Sequence, residues 1–551
     1  MTNDAIHTLP PIKTKPPQPA RPDSPSLVTL GYDITPLVID ELWISSRRTL
    51  LSVALLARYS RHRTVTLRLR NGQSKSVDPR DDGDRAEQST DLLKWLDQAI
   101  VRGLLPAIRS LSVKMDRNQG GGEDNMGKQA RNTLAGHLTH MSGLVDFYWR
   151  GNETLPDQVI QVMSDRPGLR LHVSYKRENR LPDDSGENPH EKPLSRLLGL
   201  ANLKSLSINA SYTTSRQCQD IMQPVKDVLL SCTNLRRLKL YMHCWPFDRN
   251  EYTGFDFING GRPAAALRDL ELISYPFRHE TAIIPQHLLL PGTPYYERTE
   301  ESYWADTFDW SCLERLEVSS PYLACKMLPY LKSLRHVAML APLRGLAKEF
   351  FSQLPDGLET IRVSSINDIG IDALLRHGST LRKLRMSQFE NYGSDRWSQN
   401  AVQETAITRI RDACVVLEDL DVDVGRGGDD WPYTMLDIIA SFPRLRRLGL
   451  RFEIGSGDLR NPVKPYVTAS AARHIFDYVL SKSTVTPSRL RSIVIHLGQP
   501  LGEIPISRMR PTRINSPAVF QCHVSDRDDD APPHTYEFKA AYLTWEGAQS
   551  D

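Results

Sequence analysis

The sequence has few cysteines, and their arrangement argues against two kinds of site. Its seven cysteines among 551 residues are odd in number and scattered, and no two of them have C-x-x-C spacing. Disulfide frameworks and zinc sites both need closely matched cysteine spacings. Disulfides also belong to oxidising compartments, so this usage favours a reducing one. We therefore expect neither a disulfide framework nor a zinc site.

Long apolar runs and a strong net charge are also missing. The first 25 residues contain no apolar segment typical of a secretory signal, and no stretch approaches the about 18 apolar residues of a membrane-spanning helix. The 69 basic and 66 acidic residues leave a formal net charge of +3. A balance this even does not indicate the basic surface that nucleic-acid binding requires. We expect a soluble protein of the cytoplasm or nucleus that does not bind membranes.

The chain lacks the short motifs of common enzyme classes. It contains no G-x-S-x-G, G-x-G-x-x-G or phosphate-loop pattern. His279-Glu280 begins like a zinc-protease motif, but Ile283 stands where the second histidine is required. His190-Glu191 lacks its second histidine in the same way. Asp419, Asp421, Asp423, Asp429 and Asp430 lie close together in the sequence, but Asp421 and Asp423 share one face of a predicted strand, with no turn that could wrap a cation. We expect no enzyme activity, no cofactor and no metal.

What the sequence does contain is a recurring apolar frame, Leu-x-x-Leu-x-Leu. Two copies are Leu203-Lys-Ser-Leu206-Ser-Ile208 and Leu235-Arg-Arg-Leu238-Lys-Leu240. Eight more copies begin at Leu267, Leu313, Leu334, Leu358, Leu381, Leu417, Leu445 and Leu490. Earlier copies begin at Ile108 and Leu144, with a degenerate one near Leu169. Such a frame at periods of about 20 to 29 residues is typical of leucine-rich repeats.

Helical patterns stand between many of the predicted strands. They cover residues 222–231, 369–377, 404–415, 432–441 and 470–482. Insertions lengthen the array at 243–262, 273–309 and 388–406. A strand and a helix in each repeat predict an α/β leucine-rich-repeat solenoid, a horseshoe with a parallel sheet on its concave side.

The rest of the chain divides around this array. We predict a disordered proline-rich tail at 1–27, a helical segment at 28–70 that ends in a strand at 64–69, the solenoid at 71–496, and an irregular C-terminal cap at 497–551. A last strand within 536–545 is expected to cover the open end of the solenoid, which such arrays require for solubility.

The frame also predicts which side chains face outward. Alternate residues of a strand point to opposite faces, so the residue between the last two frame positions and the residue after them face away from the core. Ala338 and Leu340 then form an apolar spot, and Asp421 and Asp423 an acidic pair. We predict that a protein partner contacts Tyr148, Arg150, Lys239, Tyr241, Glu271, Glu317, Leu340, Arg362, Arg385, Asp421, Asp423, Arg451 and His496.

Basic residues recur directly after the first frame leucine. They are Lys204, Arg236, Arg268, Arg335, Arg382, Arg446 and Arg491. Because acidic residues balance them over the whole chain, we interpret them as a solvated rim. The alternative is a stripe that binds a polyanion.

The segment before the repeats resembles an F-box. Thr35-Pro36-Leu37-Val38-Ile39-Asp40-Glu41 stands where an F-box opens with Leu-Pro-x-Glu, with Thr35 replacing the leucine. Residues 49–58, TLLSVALLAR, are similar to its closing run, and residues 62–67 to the strand-like tail that follows. The whole chain therefore resembles the F-box/leucine-rich-repeat proteins, a group abundant in fungi.

This resemblance implies a function. The chain would be the substrate receptor of an SCF-type ubiquitin ligase, and an adaptor would dock on Pro36, Leu37, Leu50, Leu51 and Leu55. The alternative is a leucine-rich-repeat scaffold with no ubiquitin role, whose N-terminal helices only cap the first repeat.

Overall fold

The computed structural model describes most of the repeat region and a few flanking strands. The described residues are 64–70, 105–116, 125–151, 154–177, 194–212, 215–244, 255, 266–275, 277, 300–339, 344–386, 401–426, 430–452, 464–465, 467–483, 489–497, 518–524 and 536–542. The predicted tail at 1–27 and the F-box-like helices at 34–62 lie outside them.

Within the described residues, sixteen strands form one sheet, and their order in the sheet is their order in the chain. The strands are β1 Thr64–Arg70, β2 Ser110–Asp116, β3 Asp146–Gly151, β4 Arg170–Arg177, β5 Leu203–Tyr212, β6 Arg237–Cys244, β7 Asp269–Ile273, β8 Arg315–Val318, β9 His336–Met339, β10 Thr360–Val363, β11 Lys383–Met386, β12 Asp419–Asp423, β13 Arg447–Phe452, β14 Ser492–Leu497, β15 Ala518–Val524 and β16 Tyr536–Tyr542. All neighbours from β1 to β14 pair in parallel. The α/β class and the parallel sheet are therefore confirmed.

Helices connect many of these strands. Among the described residues they are α1 Asn125–His140, α2 Asp157–Ser164, α3 Ser215–Ser231, α4 Glu300–Thr307, α5 Pro321–Met327, α6 Arg344–Gln353, α7 Ile366–Ile369, α8 Ile371–Leu375, α9 Glu404–Ala413, α10 Tyr433–Ala440 and α11 Ala469–Lys482. Parallel neighbours need such crossovers because a tight turn cannot return the chain to the same end of the sheet.

The frame leucines form the core beneath the sheet. Leu238 of β6 stands in register with Leu270 of β7, which in turn pairs with Leu316 of β8. All three are fully buried. Each buried leucine contributes roughly 1.5–3 kcal/mol over an exposed one. Repeating the frame on every strand therefore extends one apolar layer from β2 to β14.

The helix predictions are largely confirmed. Helix α3 contains the predicted segment 222–231 and begins earlier, while α9, α10 and α11 coincide with the other predicted helices within two residues. The segment 369–377 is helical only as the shorter α8, because Gly370 adopts φ 81° and separates α8 from α7, which ends at Ile369. Residues with a Cβ rarely adopt this backbone conformation, so the glycine marks a true break between the two helices.

Aromatic side chains tie two of the insertions to the core. The Phe255 ring lies 5.5 Å from both Tyr275 and Trp304, measured between ring centroids. The Tyr275 hydroxyl donates to Glu300 Oε1 at 2.9 Å and accepts the Phe255 backbone N–H at 2.7 Å. The indole N–H of Trp310 donates to the Trp304 carbonyl at 3.1 Å. Residues from the insertions at 243–262 and 273–309 thus pack together.

The C-terminal end of the sheet changes direction. Strand β15 pairs antiparallel with β14, and β16 pairs antiparallel with β15. Phe520 and Cys522 of β15 are fully buried and continue the apolar layer of β14. The strand predicted within 536–545 is present as β16, whereas the sequence did not predict β15. The hairpin covers the last repeat with a different kind of pairing.

Candidate interaction surface

The face of the sheet opposite the frame leucines carries three rows of side chains, and we call it the open face. Row A holds the residue just before the second frame leucine, row B the residue after that leucine, and row C the residue two positions further on. From β5 to β14, row A consists of Ser205, Arg237, Asp269, Arg315, His336, Thr360, Lys383, Asp419, Arg447 and Ser492. Row B consists of Ser207, Lys239, Glu271, Glu317, Ala338, Arg362, Arg385, Asp421, Gly449 and Val494.

The predicted partner-binding residues occupy rows B and C. Tyr148, Lys239, Glu271, Glu317, Arg362, Arg385 and Asp421 lie in row B, and Arg150, Tyr241, Asp423, Arg451 and His496 lie in row C. Leu340 lies outside the described residues, as do the predicted adaptor residues Pro36, Leu37, Leu50, Leu51 and Leu55. Row A was missed, although the same alternation extended one step toward the N-terminus predicts it.

At the N-terminal end of the open face, a histidine joins three strands. His172 of β4 stacks on Tyr148 of β3 with ring centroids 4.3 Å apart. Its two ring nitrogens lie 3.0 Å from Asp146 Oδ1 and 2.9 Å from Ser205 Oγ. Burial lowers the pKa of His172 despite the neighbouring carboxylate. The guanidinium of Arg150 lies 5.7 Å from the Tyr148 ring centroid, which leaves a cation–π pair at the surface.

Four charged residues form what we call the central cluster: Lys239, Glu271, Glu317 and Arg362. Lys239 forms an ion pair with Glu271 on the next strand. Arg362 of β10 reaches Glu317 of β8 at 3.2 Å, across the intervening strand β9. Strand β9 places Ala338 at this level, and its short side chain leaves room for the arginine. Burial and the like charge of Glu271 raise the pKa of Glu317, against the opposing effect of Arg362.

Toward the C-terminal end lies what we call the C-terminal pair, Asp421 and Arg451. Arg451 holds Asp421 through two nitrogens, at 2.9 Å and 3.1 Å. Burial opposes ionisation of Asp421, yet the bonds and charge of Arg451 outweigh it and hold the pKa below its usual value. Burial and the charge of Arg451 lower the pKa of nearby His496 to about 4.

A glycine makes this pair possible. Gly449 stands directly opposite Asp421 in the register of β12 and β13. A Cβ on Gly449 would lie 2.8 Å from Asp421 Cγ, closer than real Cβ contacts allow. The carboxylate therefore leans over the glycine to reach Arg451, two residues further along the strand.

Row A carries its own ion pairs. Asp269 lies 2.7 Å from Arg237 and 3.8 Å from Arg315, its neighbours on either side. Asp419 lies 3.2 Å from Arg447 in row A and 3.8 Å from Arg385 in row B. Both aspartates are buried, while the four arginines remain exposed.

Two predicted features of the open face need correction. Asp421 and Asp423 were expected to be an outward acidic pair, but only 8% and 2% of their surfaces are exposed. Ala338 was expected to form an apolar contact spot, but it is also buried. Arg451 lies against Asp421, and Arg362 crosses the level of Ala338 to reach Glu317. The exposed groups of this region are therefore mainly basic.

Among the described residues, no three His, Cys, Asp or Glu side chains are placed to hold a metal ion. In the same part of the chain, no helix combines the length and the apolar character that crossing a membrane requires.

Neither a protein-family model nor a curated protein sequence matches this chain. The open face presents fixed charges, held by ion pairs across neighbouring strands, together with a stacked tyrosine. Preordered polar and aromatic groups of this kind suit recognition of another macromolecule, because little side-chain entropy is lost on binding.

Proposed function

We propose that this chain is a leucine-rich-repeat protein whose open face recognises another protein. The observation that carries the proposal is the strand order: consecutive strands bearing one frame present rows A, B and C as a continuous surface. Chains built from stacked repeats typically use such extended faces for binding. Tyr148, Arg150 and the arginines of rows A to C are of the residue types that dominate protein interfaces.

We further propose that the recognised protein is a substrate of an SCF-type ubiquitin ligase and that this chain is the receptor subunit. The support is the F-box-like sequence at 35–58, which directly precedes β1 in the chain. In this proposal any catalysis belongs to the associated ligase. A scaffold without a ubiquitin role is the competing outcome.

A pair of tyrosines offers a matched test of the open face. A photo-crosslinking phenylalanine derivative is placed at Tyr241 in row C or at the exposed Tyr322 of α5. We expect one protein to crosslink from position 241 and not from 322, and Tyr148→Ala to abolish that crosslink. Equal crosslinking from both positions would overturn the assignment of the open face.

The receptor role is tested in the full chain by Leu50→Asp/Leu51→Asp. Strand β1 at Thr64–Arg70 belongs to the sheet, so a truncation after it would damage the fold. We expect the double variant to stay folded and to lose a co-purifying SCF adaptor. A soluble, folded parent chain that retains no adaptor would leave the scaffold function instead.

A further inference from the structure

The residues that follow the first frame leucine, from Lys204 to Arg491, form a row across the sheet at the N-terminal ends of its strands, which we call the edge row. It begins with three successive cations, Lys204, Arg236 and Arg268. Backbone hydrogen bonds link neighbouring members of the row in order. The Arg268 N–H donates to the Arg236 carbonyl at 2.8 Å, and at the other end the Arg491 N–H donates to the Arg446 carbonyl at 2.8 Å. Over most of its length the row alternates in sign. Arg268–Glu314, Arg335–Glu359 and Arg382–Glu418 form ion pairs at 3.4 Å, 2.9 Å and 2.8 Å.

This alternation stops after Glu418. The next two members of the edge row are Arg446 and Arg491, with no acidic residue between them. Each is preceded, two residues earlier, by another exposed arginine, Arg444 and Arg489. The solvated-rim interpretation therefore fits the balanced part of the row and not its C-terminal part.

Rows A and B add further cations at the same place. On strands β11–β14 and the residues leading into them, the exposed basic side chains are Arg382, Lys383, Arg385, Arg444, Arg446, Arg447, Arg489 and Arg491. We call these eight residues the basic edge cluster. The acidic residues interspersed among them, Glu418 and Asp419, already contact Arg382, Arg447 and Arg385. Counting also Arg451, Asp421 and Asp423, these strands and their lead-in residues carry nine cations and four carboxylates, and this local excess of five positive charges exceeds the +3 of the whole chain.

The dimensions of the cluster suit a short peptide. Four strands spaced about 4.8 Å apart span roughly 15 Å, which an extended chain covers with about five residues. Seven of the eight cations are arginines. The planar guanidinium donates two parallel hydrogen bonds to a carboxylate, which makes arginine the preferred partner for Asp and Glu.

We propose that the basic edge cluster binds an acidic peptide segment, rich in Asp and Glu, of the protein that the open face recognises. This inference rests on the proposed protein-recognition function and names the chemistry of the partner. Two observations favour a peptide over nucleic acid. Among the described residues of β11–β14 and those leading into them, no Phe, Tyr or Trp side chain is exposed for bases to stack on, and the chain outside the cluster carries no net positive charge to extend the contact.

The test measures, by fluorescence anisotropy, the binding of a fluorescein-labelled oligo-glutamate peptide to the full chain. The variant is Arg444→Gln/Arg446→Gln/Arg489→Gln, which removes no ion pair described above. We expect its affinity to be about tenfold weaker, since exposed pairs contribute up to about 1 kcal/mol each. We also expect parent binding to weaken as salt is added, because exposed charges are screened.

The control replaces exposed lysines elsewhere on the molecule, Lys332→Gln/Lys348→Gln. It should bind the peptide like the parent chain, and circular dichroism should show that all variants are folded. Equal affinity of the arginine variant and the parent would overturn the proposal. So would tighter, arginine-dependent binding of a labelled single-stranded RNA of matched charge.

A competing occupant is the chain itself, through Asp528, Asp529 and Asp530. Tighter peptide binding after Asp528→Asn/Asp529→Asn/Asp530→Asn would assign the cluster to that segment and overturn the partner assignment. Failure here is distinct from failure of the proposed function. Crosslinking from Tyr241 without peptide binding would retain the open-face interface and remove only the acidic-peptide inference.

Discussion

The central cluster and the C-terminal pair place similar carboxylates in the same row, yet their pKa values shift in opposite directions. Glu317 and Asp421 are almost equally covered, with 16% and 11% of their side chains exposed, and each contacts one arginine. The pKa of Glu317 is raised and that of Asp421 is lowered. The neighbours in the row explain the difference. Glu317 stands beside Glu271, whereas Asp421 stands beside Gly449 and grips Arg451 with both oxygens.

The comparison shows that position on the open face does not fix the charge state of a residue. Burial opposes ionisation at both sites. What decides the outcome is whether the adjacent strand supplies a like charge or room for a two-point ion pair.

The largest expected effect comes from breaking the C-terminal pair. Arg451→Met leaves the buried Asp421 carboxylate without its two-point partner and should lower the free energy of unfolding by about 3 kcal/mol. Chemical denaturation measures this loss. Asp421→Asn in the same chain should recover part of it, because no buried charge remains. An Arg451→Met variant as stable as the parent would contradict the pairing.

The next effect is a pH dependence from His496. Its pKa of about 4 in the folded chain lies below the ordinary 6.5, so the unfolded chain binds more protons between these values. Stability is therefore full above pH 6.5 and falls by about 3 kcal/mol as the pH drops to 4. Asp421, whose pKa is also lowered, loses its contribution below its ordinary 3.8.

Denaturation curves across this range separate the histidine. His496→Asn should flatten the slope between pH 6.5 and 4, while the control His140→Asn replaces an exposed imidazole. Equal slopes in the parent and His496→Asn would show that His496 titrates at its ordinary pKa.

A smaller effect tests the glycine. Gly449→Ala places a methyl group 2.8 Å from Asp421 Cγ, which must move and weaken its bonds to Arg451. Thermal and chemical unfolding should report a loss of about 1–2 kcal/mol. The matched control is Gly345→Ala in α6, where an added Cβ meets nothing within 4 Å. A Gly449→Ala variant no less stable than Gly345→Ala would exclude the tight contact.

The smallest effect concerns the central cluster. Glu271→Gln removes the like charge beside Glu317, so the pKa of Glu317 should fall toward its usual value. Because the pKa of Glu317 is higher in the folded chain, it stabilises the fold below pH 4.5, and this stabilisation is lost as the pH rises through the pKa of the folded chain. The variant should reduce that loss of stability by roughly 0.5 kcal/mol. NMR titration of Glu317 measures the shift, with Glu314→Gln in the edge row as control. A Glu317 pKa that does not move would place its cause in burial alone.

The sequence predicted the strands and much of the open face because the frame repeats with fixed alternation. Tyr241, Glu271 and Arg385 follow from that alternation alone, as does the burial of Leu238. The pairing of Arg362 with Glu317 does not, because it needs the exact register of three strands and the small side chain of Ala338 between them. The burial of the Asp421 side chain likewise depends on the absence of a Cβ at Gly449, and the strand pattern does not predict this contact.

The contacts of the insertions and the strand β15 could not be predicted from the frame, for a different reason. Phe255, Tyr275 and Trp304 belong to stretches without a repeating pattern, and only the folded chain brings them together. Strand β15 pairs antiparallel, so its residues follow neither the frame nor its spacing. Sequence patterns predict contacts that repeat from strand to strand. They do not predict contacts that occur only once in the fold.

The strand order fixes the spacing between side chains along the open face. Glu317 on β8 and Asp421 on β12 are separated by four strand spacings, about 19 Å at roughly 4.8 Å each. Because each strand bonds only to its neighbours in the chain, duplicating the 23-residue unit Leu358–Thr380 would add one spacing and leave both charged sites intact. The distance between two charged sites on the open face is thus a whole number of strand spacings.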